Sequence, residues 1–185
     1  YYIFFYPEIQ HFLDDTYNKK AKSTINKLQL TPSTFDLYRK NGENANYISE
    51  LIRNDSIEDF IIFVNKHNIS LRKKIEFSIF ETNSFLINKS TTLIQYASFF
   101  GSIQIFNYLM NNNVNLDQSL WIHSIHSNKS EMLSILEENH VKIKSYEELI
   151  EESIKCFHID FADYFIRESN NIDYYTFSVE YQDYI

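Results

Sequence analysis

The chain has 185 residues, 25 acidic and 17 basic for a formal net charge of −8, and it is 44% hydrophobic and 17% aromatic. That apolar content supplies a sizeable core and excludes global disorder, while the acidic balance argues against a duplex nucleic-acid surface, which needs clustered Lys and Arg. No run approaches the roughly 18–20 apolar residues that span a bilayer, so neither nucleic acid nor membrane is an expected partner.

Residues 1–44 are expected to be an N-terminal helical cap region. The opening Tyr1-Tyr2-Ile3-Phe4-Phe5-Tyr6 is apolar but has no basic lead and no small-residue cleavage site, so it does not match a signal peptide. The chain also lacks an initiator methionine, and the expectation is a piece of a longer protein. Pro7 opens a helix through His11 and Phe12 and onwards, with Ile25 and Leu28 on its later turns. Thr31-Pro32 is a second helix start, with Thr31 as N-cap and Pro32 at the first helical position, and Gly42 ends that helix.

Four helix–turn–helix units are predicted after the cap, at about 45–67, 90–116, 117–143 and 145–171, with an insertion at 68–89. The insertion carries Ile75, Phe77, Ile79, Phe80, Phe85 and Leu86, too apolar for a solvated loop, and is expected to pack as a hairpin or short helix. In the 90–116 unit, Ile94, Ala97 and Ser98 make a narrow small-residue stripe, and Ile105, Phe106, Tyr108 and Leu109 make a bulkier one. Gly101 stands at the break between them, where a left-handed or close-approach backbone is cheapest without a Cβ. Small residues on one helix and large ones on the next let hairpins stack. Ser145-Tyr146-Glu147-Glu148 has the capping-box spacing and opens the fourth unit. Residues 172–185 form a tyrosine-rich tail, either laid along the array or onto a partner, or beginning a further unit.

The second unit recurs along the chain. A shift of 27 positions places Ser119 to Asn128 on Thr92 to Gly101, and a further shift of 29 places Ser153-Ile154 on Ser124-Ile125. A backward shift of 46 places Ile48, Leu51, Ile52, Asp55 and Phe60 on Ile94, Ala97, Ser98, Gly101 and Phe106. This is the pattern of a degenerate array with insertions. With only two glycines and two prolines in the chain, asparagine is expected to supply the left-handed turn residues at Asn111-Asn112-Asn113, Asn128, Asn139 and Asn170-Asn171.

Thr92-Leu93-Ile94-Gln95-Tyr96-Ala97-Ser98-Phe99-Phe100-Gly101 resembles the ankyrin T-P-L-H-x-A-A-x-x-G signature, with Leu93 and Gln95 at the Pro and His positions, and Gln104 to Leu109 resembles its second helix. Gly42-Glu43-Asn44, Glu81 to Ile87, Phe99 to Phe106, Ser119-Leu120-Trp121 and Leu136 to Val141 are similar to one divergent ankyrin-repeat family. It is the uncharacterised domain that precedes or caps ankyrin arrays in proteins of parasitic flagellate protists of the trichomonad type. The resemblance covers roughly residues 35–168. It implies an all-α, ankyrin-like helical-repeat solenoid with a binding role, and it offers no catalytic residues.

In such a stack the first helix of every unit lines a concave face, and its solvent-facing positions repeat. The corresponding stripe is Glu50, Arg53, Tyr96, Phe99, His123, His126, Glu152 and Lys155. Two aromatics beside two histidines suit a protein-binding groove, since aromatics dominate interface hot spots; the alternative is that these side chains are covered and belong to the core. His123 and His126 at i, i+3 share a helix face, but two ligands do not make a metal site, and no Cys or carboxylate joins them at helical spacing. No metal and no cofactor is therefore expected. Trp121 falls on the core slot of Ile94.

Cys156, the one cysteine, excludes an intrachain disulfide and suits a reducing compartment; it lies within an expected helix as a buried thiol. G-x-S-x-G, phosphate-cradling glycine loops and H-E-x-x-H are all absent from the sequence. The expected function is therefore non-catalytic protein–protein interaction by a cytoplasmic scaffold or adaptor. The alternative is a structural component of a cytoskeletal or axonemal assembly.

Overall fold

The computed structural model describes residues 2–87 and 89–169. The tyrosine-rich tail and the Asn170-Asn171 turn lie outside the described residues. Among those residues the chain is all-helical, with eleven α-helices, one 3-10 turn and no β-strand. None of these helices is long and apolar enough to cross a membrane. The chain forms two compact units. One takes the sequence through Glu50 together with Lys74–Thr91, and the other takes Leu51–Lys73 together with the chain from Thr92 onward.

In the first unit, α1 (Tyr6–Ile9) runs into a 3-10 turn (Gln10–Phe12), and α2 (Asp15–Lys27) starts afresh. The continuous helix expected from Pro7 onwards is therefore broken. Leu13 and Asp14 are extended, and the Asp14 carboxylate accepts from the backbone N–H groups of Thr16 and Tyr17, capping α2. Asn18 secures the break: its amide donates to the carbonyls of Gln10 (3.1 Å) and Leu13 (2.8 Å), and its oxygen accepts from the Tyr6 hydroxyl. Helix α3 (Pro32–Asn41) has the expected punctuation, with Thr31 accepting from the Thr34 N–H and Gly42 left-handed at φ 67°.

The apolar insertion forms neither the hairpin nor the short helix expected of it. Residues 74–87 and 89–91 are irregular and belong to this first unit. Their backbone is satisfied by turn bonds, by backbone further away in the chain and by side chains instead of by a helical ladder. The amides of Asn44 and Asn46 both donate to the Glu76 carbonyl, at 2.9 and 3.0 Å, and the Thr82 N–H and hydroxyl both donate to the Gly42 carbonyl. Phe80 is buried against Phe35 (5.3 Å between centroids) and Tyr38 (5.4 Å).

Helix α4 (Tyr47–Arg53) contains the division between the units. The second unit continues with α5 (Ile57–Lys66), α6 (Leu93–Phe100), α7 (Ile103–Asn111), α8 (Leu120–Ser127), α9 (Ser130–Glu138), α10 (Tyr146–Lys155) and α11 (Ile159–Glu168). Helices α6 and α7, α8 and α9, and α10 and α11 pack as pairs; α6 also packs on α8, and α8 on α10. Close approach of these first helices follows from one small slot, in which Ala97, Ser124 and Ser153 are all buried. The two serine hydroxyls donate to the carbonyls of Trp121 and Leu149 in their own helices, so no buried donor is stranded. Around that seam lie Leu93, Ile105, Phe106, Leu109, Trp121, Ile125, Met132, Leu136, Ile150 and Phe165. Trp121 is buried as expected, its indole N–H donating to the Val141 carbonyl at 2.9 Å.

The turns share one device. Asp55, Gly101, Asn128 and Phe157 follow the first helix of each pair with φ between 49° and 64°, and Asn68, Asn113 and His140 follow α5, α7 and α9 with φ between 50° and 58°. Of the asparagines expected to do this, Asn113 and Asn128 do, whereas at the end of α9 the left-handed residue is His140 and Asn139 stays at φ −90°. Helices α7, α9 and α11 each also open on a residue that reaches back to the preceding pair. Ser102 donates to the Ile52 carbonyl, Lys129 to that of Gly101, and His158 to that of Ile125. These carbonyls close the preceding first helices, where acceptors lack helical partners.

Candidate functional site

The eight positions of the expected stripe separate by burial. Glu50 and Lys155 are exposed, and Arg53, His126 and Glu152 are half-buried. Tyr96, Phe99 and His123 are only 1%, 6% and 5% exposed, so these three are core side chains and not the solvent-facing groove their spacing suggested. The reason is tertiary: α6 and α8 meet along this face. Tyr96 lies against Phe100 at 4.7 Å between centroids, and its hydroxyl accepts from Arg53 Nη1 at 3.1 Å. Phe99 stacks on the His126 imidazole, 4.6 Å between centroids with 24° between planes. The Nδ1–H of His123 donates to the Ser119 carbonyl one turn back, at 2.7 Å. A carbonyl can only accept, so that bond fixes the proton on Nδ1.

Beyond Phe99, the stripe leads into a cluster of three different donors. His126 near the end of α8 faces Glu152 on α10, with Nε2 and Oε1 2.9 Å apart. The other ring nitrogen, Nδ1, lies 3.5 Å from the Sγ of Cys156. No Cys or carboxylate joins His126 at helical spacing on its own helix; its partners come from the next pair's first helix, which spacing alone does not reveal. Glu152 and Cys156 are one turn apart and share a face of α10. Lys155 stands beside them, 3.7 Å from both Glu151 and Glu152.

The electrostatics set the protonation pattern. Burial, and after it the Glu152 carboxylate, push the Cys156 thiol up to about 11, against a smaller opposing effect of Lys155. The sulfur therefore carries its proton at neutral pH and can donate it to Nδ1. A thiol held in this state is not a prepared nucleophile, because the thiolate is the attacking form.

In comparisons with protein-family models, with curated proteins and with solved structures, nothing matches the chain.

A second concavity, of about 390 Å³, is lined by Trp121, Lys142, Tyr146 and Tyr164 among others. The Tyr164 hydroxyl donates to Glu137 at its edge, and burial together with Glu168 and Glu138 raises the Glu137 carboxyl above its usual range. The His126 cluster is the more convergent site. One part of it was visible in sequence, the Glu152-x-x-x-Cys156 spacing, and the repeat superposition places His126 on Lys155, next to that cysteine.

Proposed function

We propose that this chain is a non-catalytic protein–protein interaction module, an ankyrin-like array of helix pairs working as a scaffold or adaptor in the cytoplasm. The observation that supports it is the recurrence, pair after pair, of a left-handed turn residue and a reach-back bond to the preceding first helix. Repeats built this way bury their faces only against neighbours and keep one continuous surface for a partner. Because Tyr96, Phe99 and His123 are core, the contact surface is assigned to exposed groups: Lys155 from the stripe, with Phe157 in the turn after α10 and Ile159 at the start of α11.

The test compares the unaltered chain with Lys155→Glu/Phe157→Asp as baits in native lysate, with retained proteins quantified by mass spectrometry. The expected result is a reproducible partner that falls at least about tenfold with the variant while the melting temperature does not fall. Equal retention by both baits, or nothing above a control bait, would sink the reading.

A further inference from the structure

We propose that His126, Glu152 and Cys156 form a binding site for a divalent transition-metal cation of the zinc class. Imidazole nitrogen, cysteine sulfur and carboxylate oxygen are the three donor types zinc takes from proteins. One ligand atom from each residue lies within 4.8 Å of the other two. A tetrahedral zinc site spaces its donors by about 3.3–3.8 Å, and Sγ and Nδ1 are already 3.5 Å apart. The Glu152 carboxylate now lies against the other ring nitrogen, Nε2, and turns toward the sulfur when the cation binds.

The surroundings favour a defined geometry. Two of the ligands come from one face of α10, and the third from α8, which packs directly on it. The stacked Phe99 ring fixes the plane of the imidazole, the orienting role that groups behind metal ligands commonly play. All three ligands are half-buried, so none is sealed from solvent, and water supplies the fourth ligand that three protein donors leave open. Binding exchanges the Cys156 S–H bond for a sulfur–metal bond and releases that proton to solvent. Glu152 turns from His126 and Lys155 to the metal, and Lys155 keeps Glu151 as its partner. The bound cation joins α8 to α10 and so clips two successive helix pairs together.

The experiment uses the full chain, reduced and freed of metal, titrated with Zn²⁺ and with Co²⁺ as a spectroscopic stand-in. One equivalent is expected to bind, with a thiolate-to-cobalt charge-transfer band and a raised melting temperature. Cys156→Ser abolishes the band, and Cys156→Ser and His126→Gln each weaken Zn²⁺ binding by about 10- to 100-fold or more, each checked for folding by its metal-free melting curve. A second measurement needs no variant. Cys156 is the chain's one cysteine, so mass-detected alkylation reads this site alone, and Zn²⁺ but not Mg²⁺ slows it at least about tenfold if sulfur is a ligand. Absence of the cobalt band, an alkylation rate indifferent to Zn²⁺, or equal affinity in folded variants overturns the site and assigns any bound metal to other histidines. None of these results depends on whether the chain binds a protein.

Discussion

Phe157 holds a left-handed backbone (φ 59°) in the turn between α10 and α11, with its side chain 80% exposed. At the matching turns this conformation belongs to Gly101 and Asn128, which tolerate it, whereas a bulky L-residue there is strained by about 1–2 kcal/mol. So little of the ring is buried that removing it sacrifices almost no packing. Phe157→Asn is therefore expected to stabilise the fold by about 0.5–1 kcal/mol, read as a higher urea midpoint at unchanged m-value. Cys156 carries a second residue-level expectation. Its thiol is pushed from 9.0 to about 11 because burial favours the neutral form. The folded state thus holds this proton more tightly than the unfolded state does. The resulting stability is whole below pH 9 and declines as pH rises through 9 to 11. In metal-free protein, alkylation of Cys156 should reach half its maximal rate near pH 11 when folded and near pH 9 in denaturant.

Among the elements, the second helix of a pair is closed by its neighbour. Ser102 stands at the N-cap of α7, but its hydroxyl is committed to the Ile52 carbonyl. The capping task passes to Asp55 in the preceding pair's turn, whose carboxylate accepts from the N–H groups of Gln104 and Ile105, both at 3.0 Å. Asp55 also occupies a left-handed position, at φ 49°. Asp55→Ala removes the cap and places a less tolerant residue there, for an expected loss of about 1–2 kcal/mol, while Asp55→Asn keeps most of it. Denaturant curves on the two variants separate the contributions. Helix α6 is closed differently, by a full capping box between Thr92 and Gln95, and the Gln95 amide also donates to Ser119 at 2.7 Å. The fourth pair opens on Ser145 as its spacing predicted, the hydroxyl accepting from the Glu148 N–H and donating to Glu147.

For the molecule as a whole, the decisive feature is that the seam between first helices is core. Tyr96 and Phe99 lie in it, so truncating them removes packing before it removes any partner. Each change to alanine costs about 3–5 kcal/mol, with the pair not strictly additive because both side chains touch Phe100. For a chain of this length, where 1 kcal/mol moves the melting temperature by about 2–4 °C, Tyr96→Ala/Phe99→Ala is expected to lower it by more than about 10 °C or abolish cooperative melting. A double variant that melts like the unaltered chain would return these side chains to the surface.

Helical class, the stop at Gly42, the break at Gly101 and the cap at Ser145 were legible in the sequence, because each depends on backbone preference and periodicity within a few residues. The small slot of Ala97, Ser124 and Ser153 was legible for the same reason: its residues are spaced to one helix face. Helical spacing says which side chains share a face and leaves open what that face meets, so the burial of Tyr96, Phe99 and His123 was decided only when α6 met α8. The insertion reads as apolar, yet whether Asn44 and Asn46 or a helical ladder would satisfy its backbone depended on chain segments some 30 residues away. His126, Glu152 and Cys156 converge for a similar reason. Donors on two helices acquire a common focus only from the distance and rotation at which those helices pack, and that is a property of the tertiary structure alone.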